Sequence, residues 1–109
     1  MISIDDFKKV EIRAGKVEAA ERVEGSEKLL KLSVNFGEEV PRQVVSGIAK
    51  FITPEEIVGK TCAFVVNLEP REIMGLQSQA MIMAASGGEE GSQFFSLLEI
   101  NCPPGSMVK

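Results

Sequence analysis

The sequence contains no histidine, tryptophan or tyrosine, and its 109 residues include only two cysteines. Without histidine, the commonest general base and the commonest metal ligand are both missing. Two cysteines cannot form a disulfide framework. Cys62 lies in an apolar strand pattern typical of a small core residue, whereas Cys102 precedes Pro103 in a predicted loop. We therefore expect no catalytic residues, no metal site and no cofactor.

Long hydrophobic runs are also missing, since no stretch approaches the roughly 20 apolar residues that cross a bilayer. The N-terminus lacks the basic start and apolar stretch of a signal peptide. These absences predict a cytoplasmic protein with no membrane partner. The length suits a single domain spanning residues 1–109.

The net charge of −4 argues against nucleic acid as a partner, although an acidic protein can carry a local basic patch. The acids concentrate in stretches that resemble solvated turns, between residues 18–27 and at 38–39, 55–56 and 89–90. This distribution leaves several cations to define a different surface: Lys28, Lys31, Arg42, Lys50 and Arg71.

Hydrophobic periodicity predicts an all-β fold. Residues 30–36 alternate apolar and polar side chains, residues 42–46 form a short third strand, and residues 61–68 are a continuous apolar run typical of a covered strand. Further strands are expected at residues 79–85 and 94–98. In the first strand the apolar phase changes after Gly15, which predicts a β-bulge or a sharp bend there.

Two short helices complete the predicted pattern. Ser3 is placed to begin the first, and Thr53 followed by Pro54 begins the second, which Gly59 ends. Three strands, a short helix and two or three further strands follow the order of the five-stranded Greek-key OB-fold barrel, with its helix between strands 3 and 4. Such barrels bind along strands 2 and 3 and the neighbouring loops.

Polar side chains on the predicted outer face suit phosphate and ribose contacts. Lys31 lies on the second strand, Arg42 and Ser46 on the third, and Lys50 just after Gly47, which would permit a close backbone approach. Taken by themselves, the same residues are more often explained by an ordinary wet strand face and a simple connector.

The corner that follows the apolar run at 61–68 carries the most specific pattern. Asn67 either organises the loop or touches a base, and Arg71 has a planar fork suited to phosphate or guanine. Ser78 can donate a hydrogen bond, while Met74 and Met81 can lie against a base. Core packing is an equal alternative for Met81.

This corner, Arg71-Glu72-Ile73-Met74-Gly75-Leu76-Gln77-Ser78-Gln79-Ala80-Met81, resembles the signature of the tRNA-binding domain of methionyl-tRNA synthetase, of the C-terminal or β-subunit type. The structure-specific tRNA-binding proteins share that signature. Ordered blocks at residues 10–17, 25–32 and 42–49 extend the resemblance over nearly the whole chain. Two positions depart from the family pattern: Glu72 adds a negative charge, and Ala80 replaces a glycine.

The resemblance implies a dimeric barrel that recognises the shape of tRNA and performs no aminoacylation itself. It further implies that the chain works with, or as part of, methionyl-tRNA synthetase; whether it is free-standing is left open. The positions that match the family's binding groove are Lys31, Arg42, Ser46, Lys50, Asn67, Arg71, Met74, Ser78 and Met81. Dimers of the family use terminal segments, so Ile2, Ile4 and Phe7 are candidates for the interface of a homodimer.

One alternative function remains open. A related family of dimeric secretion chaperones shares the barrel, and an acidic groove bearing methionines would suit polypeptides. Aromatic stacking, on which such barrels usually depend for single strands, is expected to be scarce here. The six phenylalanines lie mostly at positions typical of a core.

Overall fold

The structure, a computed structural model, describes all residues 1–109 and consists mainly of β-strands. Two four-residue helices, α1 (Ile4–Phe7) and α2 (Pro54–Ile57), begin at Ser3 and Thr53, and each helix has a capping box. The nine strands are β1 (Ile12–Arg22), β2 (Leu30–Asn35), β3 (Arg42–Ser46), β4 (Thr61–Val65), β5 (Arg71–Ile73), β6 (Leu76–Ser78), β7 (Met81–Ile82), β8 (Ala84–Gly87) and β9 (Phe94–Leu97).

Five strands form one antiparallel sheet in the order β3-β2-β1-β4-β7, with α2 between β3 and β4. The sheet curls into a barrel, and the chain around β6 closes the gap beside β3. There the Gln79 backbone N–H donates to the Gln43 carbonyl at 2.8 Å, and the Gln43 N–H donates to the Gln79 side chain at 2.8 Å. The prediction of an all-β, five-stranded OB-type barrel is confirmed.

The core is made by the inward residues of the alternating strands. Leu30, Leu32 and Val34 of β2 are almost completely buried, and the rings of Phe36 and Phe64 meet edge to face at 5.1 Å. The neutral thiol of Cys62 belongs to this core, and burial raises its pKa to about 11.

The bulge expected at Gly15 lies three residues further on. The β1–β2 pairing slips between Val17 and Ala19, while Gly15 continues the regular β1–β4 ladder. Gly15 faces the core, where a Cβ atom would come within 2.5 Å of the Phe36 ring. The apparent change of phase arises because Ile12 and Ala14 are buried on the other side of the sheet, beneath the C-terminal segment.

Two other details differ from the sequence prediction. The expected strand at 79–85 is divided into β7 and β8, because Met83 bonds to Ala63 while the chain turns away to pair with β9. The corner after β4 contains an unexpected hairpin, β5–β6, which turns at Met74 and Gly75 with positive φ at both. No helix of the structure has the length and apolar character needed to cross a membrane.

Candidate nucleic-acid interface

The outer side of β1, β2 and β3 carries a shallow groove of about 400 Å³, here called the outer-face groove. Ala19, Lys31, Ser33, Gln43 and Gln79 are among its lining residues. They lie there because the core residues of each strand point inward and their alternate neighbours therefore point outward. The groove has the position at which barrels of this type bind their ligands.

A second depression of about 380 Å³, here called the turn–hairpin groove, continues past Lys31. It separates the β1–β2 turn from the β5–β6 hairpin and is lined by Arg22, Lys31 and Met74, together with the acidic Glu21 and Glu24. The two walls nearly touch, since the position of a Gly25 Cβ lies 3.9 Å from the Met74 methyl group. The hairpin thus extends the binding face beyond the strands.

A small pocket of about 40 Å³ lies on the other flank of the hairpin. Ser46, Arg71, Ser78 and Met81 all line it, so the structure brings together four of the residues predicted for the site. Arg71 and Met81 are exposed, and Met81 therefore does not pack in the core.

Ser78 is the one buried polar residue of the chain, and it fixes the hairpin to the barrel. Its hydroxyl accepts a hydrogen bond from the Val45 backbone N–H at 3.0 Å and donates to the Ala80 carbonyl at 3.0 Å. Because the hydroxyl hydrogen of Ser78 is already donated to the Ala80 carbonyl, it is not free for a ligand. Ser78 instead positions the hairpin that carries Arg71 and Met74.

Arg42 is occupied by the protein itself. Its guanidinium forms a two-pronged ion pair with Glu38, at 2.9 Å for each bond, and donates to the Val66 and Gln79 carbonyls at 2.7 and 3.2 Å. It also lies 5.5 Å above the Phe36 ring. These contacts close one end of the barrel, and hydrogen bonds from Arg42 keep the pKa of Glu38 below its usual value.

Asn67 lies outside the outer-face and turn–hairpin grooves and organises the N-terminal segment. Its side chain accepts from the Glu11 N–H at 2.8 Å and donates to the Lys9 carbonyl at 2.7 Å. Of the two roles considered for Asn67, these contacts match the organising one. The segment that carries α1 is thereby held against the end of β4.

Lys31 forms an ion pair with Glu21, its direct neighbour on β1. An exposed pair of this kind contributes at most about 1 kcal/mol, so a phosphate can compete for the ammonium group. Lys50 lines none of the grooves, but it follows Ala49, whose backbone bonds to both Lys28 and Arg22.

Seven cations form no ion pair, and four of these lie around the β1–β2 turn and the hairpin: Arg22, Lys28, Lys50 and Arg71. Arg22 is absent from the residues that the sequence predicts for the site, because it lies within the acidic stretch at 18–27. Its position at the end of the first strand could have identified it from the sequence, since barrels of this type bind ligands with the loop that follows that strand.

Known proteins are similar to this chain in sequence and in fold. Residues 12–107 match the family model for tRNA-binding domains. The methionine–tRNA ligase of Methanocella arvoryzae is 50% identical over 110 residues, which cover 99% of this chain and 15% of that ligase. The chain therefore spans about a sixth of the length of the ligases it matches.

Solved structures share the whole barrel. A methionyl-tRNA synthetase related protein from Pyrococcus horikoshii is 38% identical, with a TM-score of 0.88, and the match covers 100% of this chain and 98% of that one. The chaperone CsaA from Bacillus anthracis is 28% identical, with a TM-score of 0.84, covering 100% and 99%. By its sequence and its fold, this chain belongs to the family of tRNA-binding domains related to the C-terminal region of methionyl-tRNA synthetase.

Proposed function

We propose that this chain is a non-catalytic module that holds tRNA by its shape and works in the cytoplasm, with or as part of methionyl-tRNA synthetase. The observation that carries the proposal is the group of four unpaired cations beside the hairpin. On a chain of net charge −4, these cations are free to attract phosphates, while Glu21, Glu24 and Glu69 line the same depressions.

The contacts divide the predicted site residues into two groups. Lys31, Lys50, Arg71, Met74 and Met81 are available to RNA, and we add Arg22 and Lys28. Arg42, Asn67 and Ser78 instead hold the backbone through the bonds described above, and Ser46 lines the pocket beside Arg71. Phosphate contacts fix the register of an RNA without reading its sequence, which suits recognition by shape.

The test is a titration of labelled tRNA at several salt concentrations. Each phosphate contact contributes roughly one unit to the logarithmic salt slope, so Arg71→Gln and Lys50→Gln should each lower the slope by about one. Lys60→Gln is the matched control, because Lys60 pairs with Glu99 and lies outside the group of four unpaired cations. The proposal fails if the wild-type protein binds tRNA no more tightly than a random single strand of equal length.

The likeness to a chaperone gives a second candidate function, polypeptide binding. Leu68 and Met81 line the Arg71 pocket, and Met74 lies in the hairpin turn; all three are about half exposed and offer an adaptable apolar surface. Competition between tRNA and an unfolded polypeptide separates the candidates. The tRNA module is favoured if, at low salt, tRNA displaces the polypeptide and an equal concentration of the polypeptide does not displace tRNA.

We also propose that the protein is a homodimer joined through its terminal segments. Helix α1 has no buried residue, and Ile2, Ile4 and Phe7 are exposed by 71%, 65% and 43%. A four-residue helix is too short to be stable by itself in water. Apolar side chains on such a helix therefore favour burial against a second copy.

A further inference from the structure

The phenylalanines are not mainly core residues, contrary to the expectation from the sequence. Only Phe36 and Phe64 are buried, whereas Phe51 and Phe94 are exposed by 44% and 64%. Phe51 follows the unpaired Lys50, and Phe94 begins β9. Two exposed aromatic rings are therefore available, and one of them directly follows Lys50 in the chain.

These two rings border a cleft of about 240 Å³, here called the aromatic cleft. Ser86, Gly87, Gly88 and Gln93 of the β8–β9 hairpin line the rest of it. The Phe94 ring lies across Gly87, where an added Cβ would come within 2.7 Å of the ring. Glycine at this position is what permits the ring to cover the backbone.

Phe51 is held rigidly. Its ring stacks on Phe95 with centroids 4.9 Å apart and planes 7° from parallel, and Phe95 in turn packs against the core. One face of Phe51 is thus occupied, and the ring also borders the cleft. A fixed aromatic ring loses little entropy when a ligand stacks on it.

The chemistry around the aromatic cleft favours a neutral, planar ligand with polar edges. The rings offer flat apolar faces, and the amide of Gln93 and the hydroxyl of Ser86 offer donors and acceptors. The hairpin turn carries Glu89 and Glu90, which disfavour a phosphate there. The volume lies below the roughly 300 Å³ of a usual small-molecule pocket, which suits one base and not an extended peptide.

We propose that the aromatic cleft holds one unpaired base of the bound tRNA, stacked against Phe94 and Phe51, while Lys50 contacts the adjoining phosphate. The inference rests on the proposed function, since the RNA backbone must reach Lys50 along Lys28 and Arg22. Those three residues are connected through Ala49, whose N–H donates to the Lys28 carbonyl at 2.9 Å and whose carbonyl accepts from Arg22 at 3.5 Å.

The first measurement is the tRNA affinity of Phe94→Leu and Phe94→Tyr. Loss of one base–aromatic stack should weaken binding about tenfold in Phe94→Leu, and Phe94→Tyr should restore it because the ring is retained. The salt slope should be unchanged in both variants, since neither removes a charge. Phe94 is the better position to change, because replacing Phe51 would also break its stack on Phe95.

The second measurement follows the rings directly, with all phenylalanines replaced by 4-fluorophenylalanine and the 19F signals assigned through single Phe→Leu variants. Adding tRNA should shift the Phe51 and Phe94 signals upfield through the ring current of a base, and should leave the buried Phe64 signal in place. An unfolded polypeptide should leave the Phe51 and Phe94 signals unshifted.

The outcomes separate the two proposals. If the wild-type protein binds tRNA and Phe94→Leu binds it equally well, the base site is wrong while the tRNA module stands. If the wild-type protein binds tRNA no more tightly than a random single strand of equal length, both proposals are wrong. If a polypeptide shifts the Phe94 signal and tRNA does not, the aromatic cleft is not a base site.

Discussion

At the scale of single residues, the same side-chain type serves different ends according to what surrounds it. Arg42 and Arg71 both lie beside the binding face, yet Arg42 donates four hydrogen bonds within the protein and Arg71 forms no ion pair. Releasing Arg42 would leave two backbone carbonyls without their donor. Arg71 can turn to a phosphate without such a loss, so it is the better residue to test for RNA binding.

The Glu38–Arg42 pair predicts a small acid sensitivity. Because hydrogen bonds from Arg42 lower the pKa of Glu38 in the folded state, the unfolded state binds the proton more readily. The stability due to the pair is therefore present above the ordinary pKa of 4.5 and is lost as the pH falls through the lowered folded value. Since Glu38 is half exposed, the contribution at pH 7 is under about 1 kcal/mol.

Thermal unfolding of Glu38→Gln between pH 7 and pH 3 tests this expectation. The wild-type protein should have the higher Tm at pH 7, and the gap should close toward pH 3. The neighbouring Glu39→Gln, which removes an exposed carboxylate with no ion pair, is the control and should show no such gap. A Tm difference between the wild type and Glu38→Gln that persists at pH 3 would contradict the stabilising role of the ionised Glu38.

The hydroxyl of Ser78 predicts a larger effect. Ser78→Ala leaves the buried Val45 N–H without its acceptor and should cost about 1–3 kcal/mol of unfolding free energy. Ser96→Ala is the matched control, because Ser96 is exposed and bonds only to its neighbour Leu97; its cost should stay within about 0.5 kcal/mol. Urea denaturation measures both, and equal midpoints would count against the role of Ser78.

At the scale of strands and helices, periodic elements could be predicted and aperiodic ones could not. Strand β2 alternates because one face meets the core, and the Thr53 cap has a local signal. The β5–β6 hairpin has three-residue strands, too short to show a period, and Ser78 joins it to a residue 33 positions away. Arg42 bonds to carbonyls 24 and 37 residues away in the sequence. Its structural role therefore could not be predicted from the sequence either.

Alanine substitution should have different effects on stability at Gly15, in the long strand β1, and at Gly47, which follows β3. Gly15→Ala places a methyl group 2.5 Å from the Phe36 ring, 2.7 Å from Val34 and 2.9 Å from Phe64, so overpacking should cost about 1–3 kcal/mol. Gly47 has no positive φ and no heavy atom within 4 Å of an added Cβ. Gly47→Ala should therefore be neutral or slightly stabilising. Chemical denaturation decides, and equal costs at both positions would contradict the close packing at Gly15.

At the scale of the whole molecule, the exposed apolar side chains of the termini involve other residues than the proposed tRNA surface. Four of the seven cations without an ion pair lie around the β1–β2 turn and the β5–β6 hairpin, whereas the exposed apolar side chains of α1 continue through Val10 toward the C-terminal Met107 and Val108. The two termini adjoin because the Val108 N–H donates to the Ile12 carbonyl at 2.9 Å. A contact between two copies through the termini would therefore leave the proposed tRNA surface open on each.

Sedimentation of the full chain tests that arrangement. The wild-type protein should sediment at twice the monomer mass at micromolar concentration, and Phe7→Asp should raise the dimer dissociation constant at least tenfold, since a buried carboxylate without a partner is strongly unfavourable. Val40→Asp is the matched control, because Val40 is 71% exposed in the β2–β3 connection and belongs to neither terminus. A wild-type monomer, or equal weakening by both substitutions, would exclude the terminal interface.

Because Asn67 holds the segment carrying α1, Asn67→Ala should also weaken the dimer while leaving the salt slope of tRNA binding per protomer unchanged.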